Sequence, residues 1–192
     1  MIFTETKLKG SFIVEMERLE DERGSFARTW SEREFAAHGL NSKLDECNVS
    51  FNKRKGILRG MHFQVAPFAQ AKLVRCTAGA IYDVALDLRP DSVTFKEWFG
   101  VELTAENRLM FFIPEGFAHG FQTLSDNSEV LYQMSGIYHS ESARGVRWDD
   151  PAFGIRWPEC ENERTIIERD RQYPDFADNI FTRHEAVDEL KL

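Results

Sequence analysis

The sequence predicts an all-β protein, a sandwich or a barrel, and three observations predict it. From residue 44 onward, short apolar runs recur at intervals of roughly 8–12 residues, each closed by turn residues, a spacing that fits a sandwich or barrel better than a βαβ protein. The best helix signal is short and peripheral. Several runs carry polar residues at inward parity: Tyr82, Val84, Leu86 and Leu88 share one face, while Ile81, Asp83, Ala85 and Asp87 share a mixed one. A β-barrel with a partly polar interior is built to hold a ligand.

Taken in order, residues 11–16 (SFIVEM) read as a strand, DERG at 21–24 as a turn, and SFARTW at 25–30 as a second strand. Ser31 with Glu34 three residues on forms a capping box. Phe35, Ala36 and Leu40 give that helix one buried stripe, and Gly39 closes it in a left-handed conformation. Strands follow over 44–51, 57–64, 70–77, 80–88, 96–103, 108–113, 118–124 and 129–137. Turn signals separate them at 77–79, 89–92, 105–107, 114–116 and 125–128. GVRW and GIRW, within 139–170, read as further short strands. Residues 171–192 read as a C-terminal tail, helical over 185–190.

The 192 residues fit one domain, and 42% hydrophobic content with 16 Phe supplies a sizeable core. A net charge of −8 argues against a general nucleic-acid or anionic-membrane binder. Positive charge at 53–59 and 72–75 stands out against that background and suits a small anionic ligand. Cys47, Cys76 and Cys160 are odd in number and form no CxxC, so no disulfide framework is implied and a reducing cytoplasm is the expected location. The first residues lack the apolar core of a signal peptide, and no stretch approaches the roughly 18 apolar residues of a membrane span.

The chemistry-bearing residues concentrate in GILRGMHFQVAPFAQAKLVRC, 56–76, read as two strands around a link punctuated by Pro67. His62 lies between Met61 and Phe63, residues of an interior, where a histidine's pKa is adjustable. Lys72 has the parity of Val74 and Cys76, and a lysine facing inward is costly unless something negative visits the site. Arg59 joins them, as do His119 between Ala118 and Gly120, Tyr132 within a strand, Asp170, and Arg23. Residue types alone leave two readings open, a catalytic cluster or a satisfied core histidine with rim charges. No HxH pattern follows His62, and His139 and His184 fall in turn or tail segments, so a metal site is disfavoured.

Seven segments carry a resemblance: DERGSF (21–26), GILRGMHFQ (56–64), QAKLVRCTAGAIYDVALDLR (70–89), IPEGFAHGF (113–121), VLYQMSGIY (130–138), WDDPAFGIRWP (148–158) and ERDRQYPDF (168–176). In this order, over nearly the whole chain, they resemble the nucleotide-sugar 3,5-epimerases typified by dTDP-4-dehydrorhamnose 3,5-epimerase. The resemblance implies a cupin-type jelly roll (a double-stranded β-helix) with short peripheral helices. It further implies a homodimer joined through N-terminal strands within 1–30, and activity without metal or organic cofactor. The implied substrate is a nucleoside-diphosphate 4-keto-6-deoxy sugar, inverted at C3, C5 or both by removal and return of a proton.

Carried over residue by residue, His62 matches the base, Asp170 the carboxylate that orients it, Tyr132 the acid on the opposite face and Lys72 the group beside the keto oxygen. Arg23, Arg59 and His119 match contacts to diphosphate or sugar, and Phe26 and Tyr138 match ligand-contact aromatics. Departures cluster near the nucleotide. The family's Glu after DxRGxF is Arg28, a Gln two residues before Asn48 is Glu46, a later Glu is Ala143, the Lys before the catalytic Asp is Arg169, and a Ser is Ile167. A guanidinium cannot accept the thymine N3–H, so Arg28 with Glu46 predicts a CDP- or GDP-linked substrate if the Arg28 side chain enters the base pocket; the alternative is that Arg28 turns outward, or pairs with Glu46, and another group holds thymine. Two alternatives stand beside the epimerase: a non-catalytic nucleotide-sugar-binding cupin, and a related 3,4-ketoisomerase.

Overall fold

A computed structural model of the chain describes residues 1–177 and 180. In chain order the strands and helices are β1 (Ile2–Glu5), β2 (Phe12–Glu15), β3 (Arg18–Asp21), β4 (Gly24–Ala27), α1 (Glu32–Ala37), β5 (Glu46–Asn52), β6 (Leu58–Gln64), β7 (Lys72–Ala78), β8 (Ala80–Asp87), β9 (Trp98–Thr104), β10 (Met110–Ile113), β11 (Phe117–Thr123), β12 (Ser128–Met134), β13 (Ala143–Gly145) and α2 (Glu168–Arg171). Two antiparallel sheets face one another, in the orders β1-β2-β10-β7-β12-β5 and β13-β6-β11-β8-β9, and β3 and β4 form a separate hairpin. This is the cupin-like β-sandwich that the strand spacing and the resemblance predict. Among the described residues no helix is long and apolar enough to cross a membrane.

Between the sheets lies one apolar cluster: Val74 and Cys76 from β7, Ile81 and Ala85 from β8, and Phe111, Phe121 and Val130 from β10, β11 and β12. The opposite side of β8 is buried too. Val84, Leu86 and Leu88 pack with Met61, Phe63, Val146 and Phe153, because the segment after β13 covers the outer face of the five-stranded sheet. Both faces of β8 are therefore interior, and Asp83, fully buried, sits between the sheets.

Four local expectations are corrected. β1 and β3 were not expected, since IFTE and RLED are largely exposed and carry no period-two apolar signal. β4 ends at Ala27, short of residue 30. GVRW overlaps only the last residue of β13, and GIRW is not a strand; Trp157 instead donates its Nε1–H to the Trp148 carbonyl at 2.8 Å. The capping box does not form. Ser31 makes no side-chain cap bond, because the Glu34 carboxylate takes the N-terminal ammonium of Met1 at 2.8 Å and Arg28 at 3.0 Å. Gly39 does end α1 with φ +71°. The helix expected over 185–190 lies outside the described residues.

Candidate active site

Strict strand alternation would point Arg59 and His62 to opposite faces. The structure puts both on the cavity wall through an irregular register: His119 of β11 pairs with His62, yet Phe121, two residues on, pairs with Arg59, three residues back. The extra residue on β6 is a β-bulge, a device that re-aims side chains. It requires two glycines. A Cβ on Gly60 (φ +126°) would lie 2.5 Å from the Gly120 Cα, and one on Gly120 would lie 2.8 Å from the Arg59 carbonyl.

A cavity of about 510 Å³ opens between the sheets here, lined by Asn48, Arg59, His62, Lys72, His119, Tyr132, Arg169 and Asp170, with Leu58, Phe121, Met134 and Ile167 supplying apolar wall. His62 Nε2 lies 2.8 Å from Asp170 Oδ1. Asp170, fully buried on α2, accepts the Gly60 N–H at 3.1 Å with its other oxygen. The carboxylate accepts, so Nε2 carries the hydrogen and Nδ1 holds the lone pair. Burial holds the His62 pKa below its ordinary value; Asp170 opposes that shift, while Lys72 and Arg169 add to it. The ring is therefore neutral at pH 7, the form a base requires. Asp170 itself is held below the usual carboxylate range by His62 and the Gly60 amide, against its burial.

Tyr132 projects from β12, in the opposite sheet, so it faces His62 across the cavity. Its ring meets that of His119 edge-on at 6.0 Å. Burial, and next the charge of Asp83, push its phenol well above the ordinary range, so it keeps its proton at any physiological pH. Lys72, from β7, donates to the His62 carbonyl at 3.3 Å, and burial pushes its ammonium down to about 8. Arg59 donates Nε–H to Asn52 Oδ1 at 2.8 Å. Arg169 reaches over the dyad, 3.5 Å from His62 Nε2 and 3.4 Å from Asp170 Oδ1.

The remaining sequence-predicted residues do not line this cavity. Arg23 is exposed and paired with Asp21, and Phe26 is 74% exposed on the β3–β4 hairpin. Arg28 is exposed and donates Nη1–H to the Glu34 carboxylate at 3.0 Å. Glu46 lies in the inward row of β5 beyond Asn48, but its Oε1 accepts the Tyr138 N–H at 3.3 Å, and the Tyr138 side chain is exposed. Two neighbours of the site were not singled out from sequence. Tyr173 meets the His62 ring edge-on at 6.3 Å, in space left by Gly145, and Asp83 lies behind His119. Among the described residues no group of three or more His, Cys, Asp or Glu is arranged to hold a metal ion.

A sequence model of the family described as dTDP-4-dehydrorhamnose 3,5-epimerase matches residues 5–178. The chain belongs to the dTDP-4-dehydrorhamnose 3,5-epimerase family. It is 47% identical over 178 residues to the enzyme of that name from Methanothermobacter thermautotrophicus, covering 92% of this chain and 95% of that one. The crystal structure of the Elizabethkingia anophelis enzyme superposes with a TM-score of 0.90 at 40% identity, covering 94% of this chain and 98% of that one. The Legionella pneumophila enzyme, solved in complex with dTDP-4-keto-L-rhamnose, gives a TM-score of 0.87 at 33% identity, covering 96% and 99%. Like its relatives in this epimerase family, the chain is a nucleotide-sugar isomerase.

Proposed function

We propose that this epimerase inverts C3 and C5 of a dTDP-linked 4-keto-6-deoxy sugar. The observation that carries this reading is the opposition of a neutral histidine, held by a buried carboxylate on one sheet, to a protonated tyrosine on the other, with Lys72 beside them. His62 Nδ1 takes the proton α to the C4 ketone. The ammonium of Lys72 meets the oxygen where enolate charge develops, and the Tyr132 hydroxyl returns a proton to the opposite face. Imidazolium and phenolate then reset through solvent. Arg59 and His119 meet the sugar and diphosphate, and Arg169 draws the diphosphate to the mouth.

With Arg28 turned to Glu34, the reason to expect cytosine or guanine is gone, and thymine is the proposed base. Incubation with dTDP-, CDP- and GDP-linked 4-keto-6-deoxyglucose in D₂O tests both points. Deuterium is expected at C3 and C5 of the dTDP sugar with the ketone retained. Binding without exchange would mean a non-catalytic cupin, and a migrated carbonyl a ketoisomerase. CDP or GDP binding tighter than dTDP would overturn the base assignment.

Arg23 and Phe26, matched to ligand contacts yet far from their own cavity, fit a homodimer in which the exposed β3–β4 hairpin reaches the partner's site. Light scattering at micromolar concentration should give twice the chain mass, and Phe26→Ala should raise KM more than it lowers kcat. A monomeric mass would count against this.

The pH profile follows from the same groups. Lys72 is charged below about 8 and loses its proton above it, while His62 is neutral from below its ordinary value upward. The kcat/KM for exchange should therefore hold level through neutrality and fall above about pH 8. Lys72→Arg, whose guanidinium stays charged, should be slower but lack that alkaline limb. An unchanged limb in Lys72→Arg would remove Lys72 as its source.

A further inference from the structure

A carboxylate in the middle of a strand, buried among apolar side chains, is costly unless its partners repay the lost hydration. Asp83 is such a group. It is fully buried on β8, between Phe121 of β11 and Val101 of β9 in register, and its side chain is on the face of Ile81 and Ala85. One oxygen is satisfied: His119 Nε2 donates to Oδ1 at 2.7 Å. The other, Oδ2, is buried and has no hydrogen-bond partner among the described residues. Lys72 has the parity of Val74 and Cys76 on β7 and Asp83 that of Ile81 and Ala85 on β8, and these two faces pack against one another between the sheets, so the carboxylate and the ammonium share one interior; there the charge of Asp83 opposes the lowering of the Lys72 pKa by burial and raises that of Tyr132. An apolar residue here would pack with Ile81 and Ala85 at no such cost, so the carboxylate has work to do at the cavity above it.

We propose that Asp83 is a positioning residue of the epimerase reaction: Oδ1 fixes the His119 ring, and Oδ2 stands as the counter-charge that keeps Lys72 an ammonium beside the developing enolate. Holding Nε2–H on the carboxylate leaves Nδ1 as the remaining hydrogen-bonding atom of His119, so the ring meets the ligand through one defined nitrogen. The kinetic part of the proposal rests on the epimerase reading; the hold on Lys72 does not.

The other charged or titratable groups around Lys72 are His62 and Arg59 of β6, Cys76 of β7, His119 of β11, Tyr132 of β12, Glu46 of β5, and Arg169 and Asp170 of α2. Asp83→Asn leaves all of them in place. In lysine-labelled protein, the ¹³Cε resonance of Lys72, assigned with Lys72→Arg, is titrated without substrate. Its midpoint should fall by about one pH unit in Asp83→Asn. In turnover of the dTDP-linked 4-keto sugar, kcat should drop roughly tenfold or more, and the alkaline limb should move to lower pH with it. Asp83→Ser carries the same test where the asparagine variant does not fold. An unmoved Lys72 midpoint overturns the proposal, and so does a moved midpoint with wild-type kcat. A wild-type enzyme that exchanges no substrate hydrogen, with the midpoint still moving in Asp83→Asn, overturns the epimerase reading and leaves the hold of Asp83 on Lys72 standing.

Discussion

His62→Asn is expected to fold, to bind dTDP, and to exchange C3 hydrogen with solvent roughly 10²–10⁴-fold more slowly than wild type. The amide is close to the imidazole in size and can still donate to Asp170, so neither the bulge at Gly60 nor the Gly60–Asp170 bond should be lost. What goes is the basic lone pair. Asp170→Asn should fail for a related reason. An amide NH₂ facing Nε2 would favour the tautomer with hydrogen on Nδ1, removing the lone pair from the reacting side and leaving no anion to stabilise the imidazolium. Proton NMR in D₂O measures both. Exchange near the wild-type rate in His62→Asn would remove it as the base, and normal turnover in Asp170→Asn would take that residue out of the mechanism.

The alternation of apolar and polar residues was enough to read the sandwich, because most strands bury at least one face. It was not enough for β1 and β3, nor for the end of β4, whose side chains are largely exposed within the single chain. The parity of Lys72 with Val74 and Cys76 correctly placed it inward. The alignment of Arg59 with His62 could not be read that way, since it depends on a bulge held by the contact of Gly60 with Gly120, a contact between strands far apart in the chain. Asp170 is likewise distant from His62 in sequence, so only the resemblance paired them.

Arg28 shows the opposite case. Its charge was legible, but its direction was set by Glu34, and that carboxylate had been assigned to a helix cap. Asp83 was visible as a polar residue on a mixed face. Its partners were not, because both faces of β8 are buried and only the packed structure shows which face meets His119.

Tyr132→Phe separates two steps that His62→Asn abolishes together. The ring that packs edge-on to His119 is kept, and the base and Lys72 are untouched, so proton removal should continue. The hydroxyl alone is lost, and with it the acid on the wall opposite His62. On the side of His62 the enolate carbon then meets the imidazolium that has just formed, and this group, once it has exchanged with solvent, returns hydrogen to the face it came from. Deuterium from solvent should therefore appear at C3 with the original configuration, within about tenfold of the wild-type rate, while inverted product falls roughly 10²–10⁴-fold. The high phenol pKa supports this division of labour. A tyrosine that keeps its proton through the physiological range yields it only to a strong base such as a carbanion, and does not compete with His62 for the initial removal. Parallel loss of exchange and inversion in Tyr132→Phe would show that one group serves both faces, and the acid would have to be sought elsewhere in the cavity.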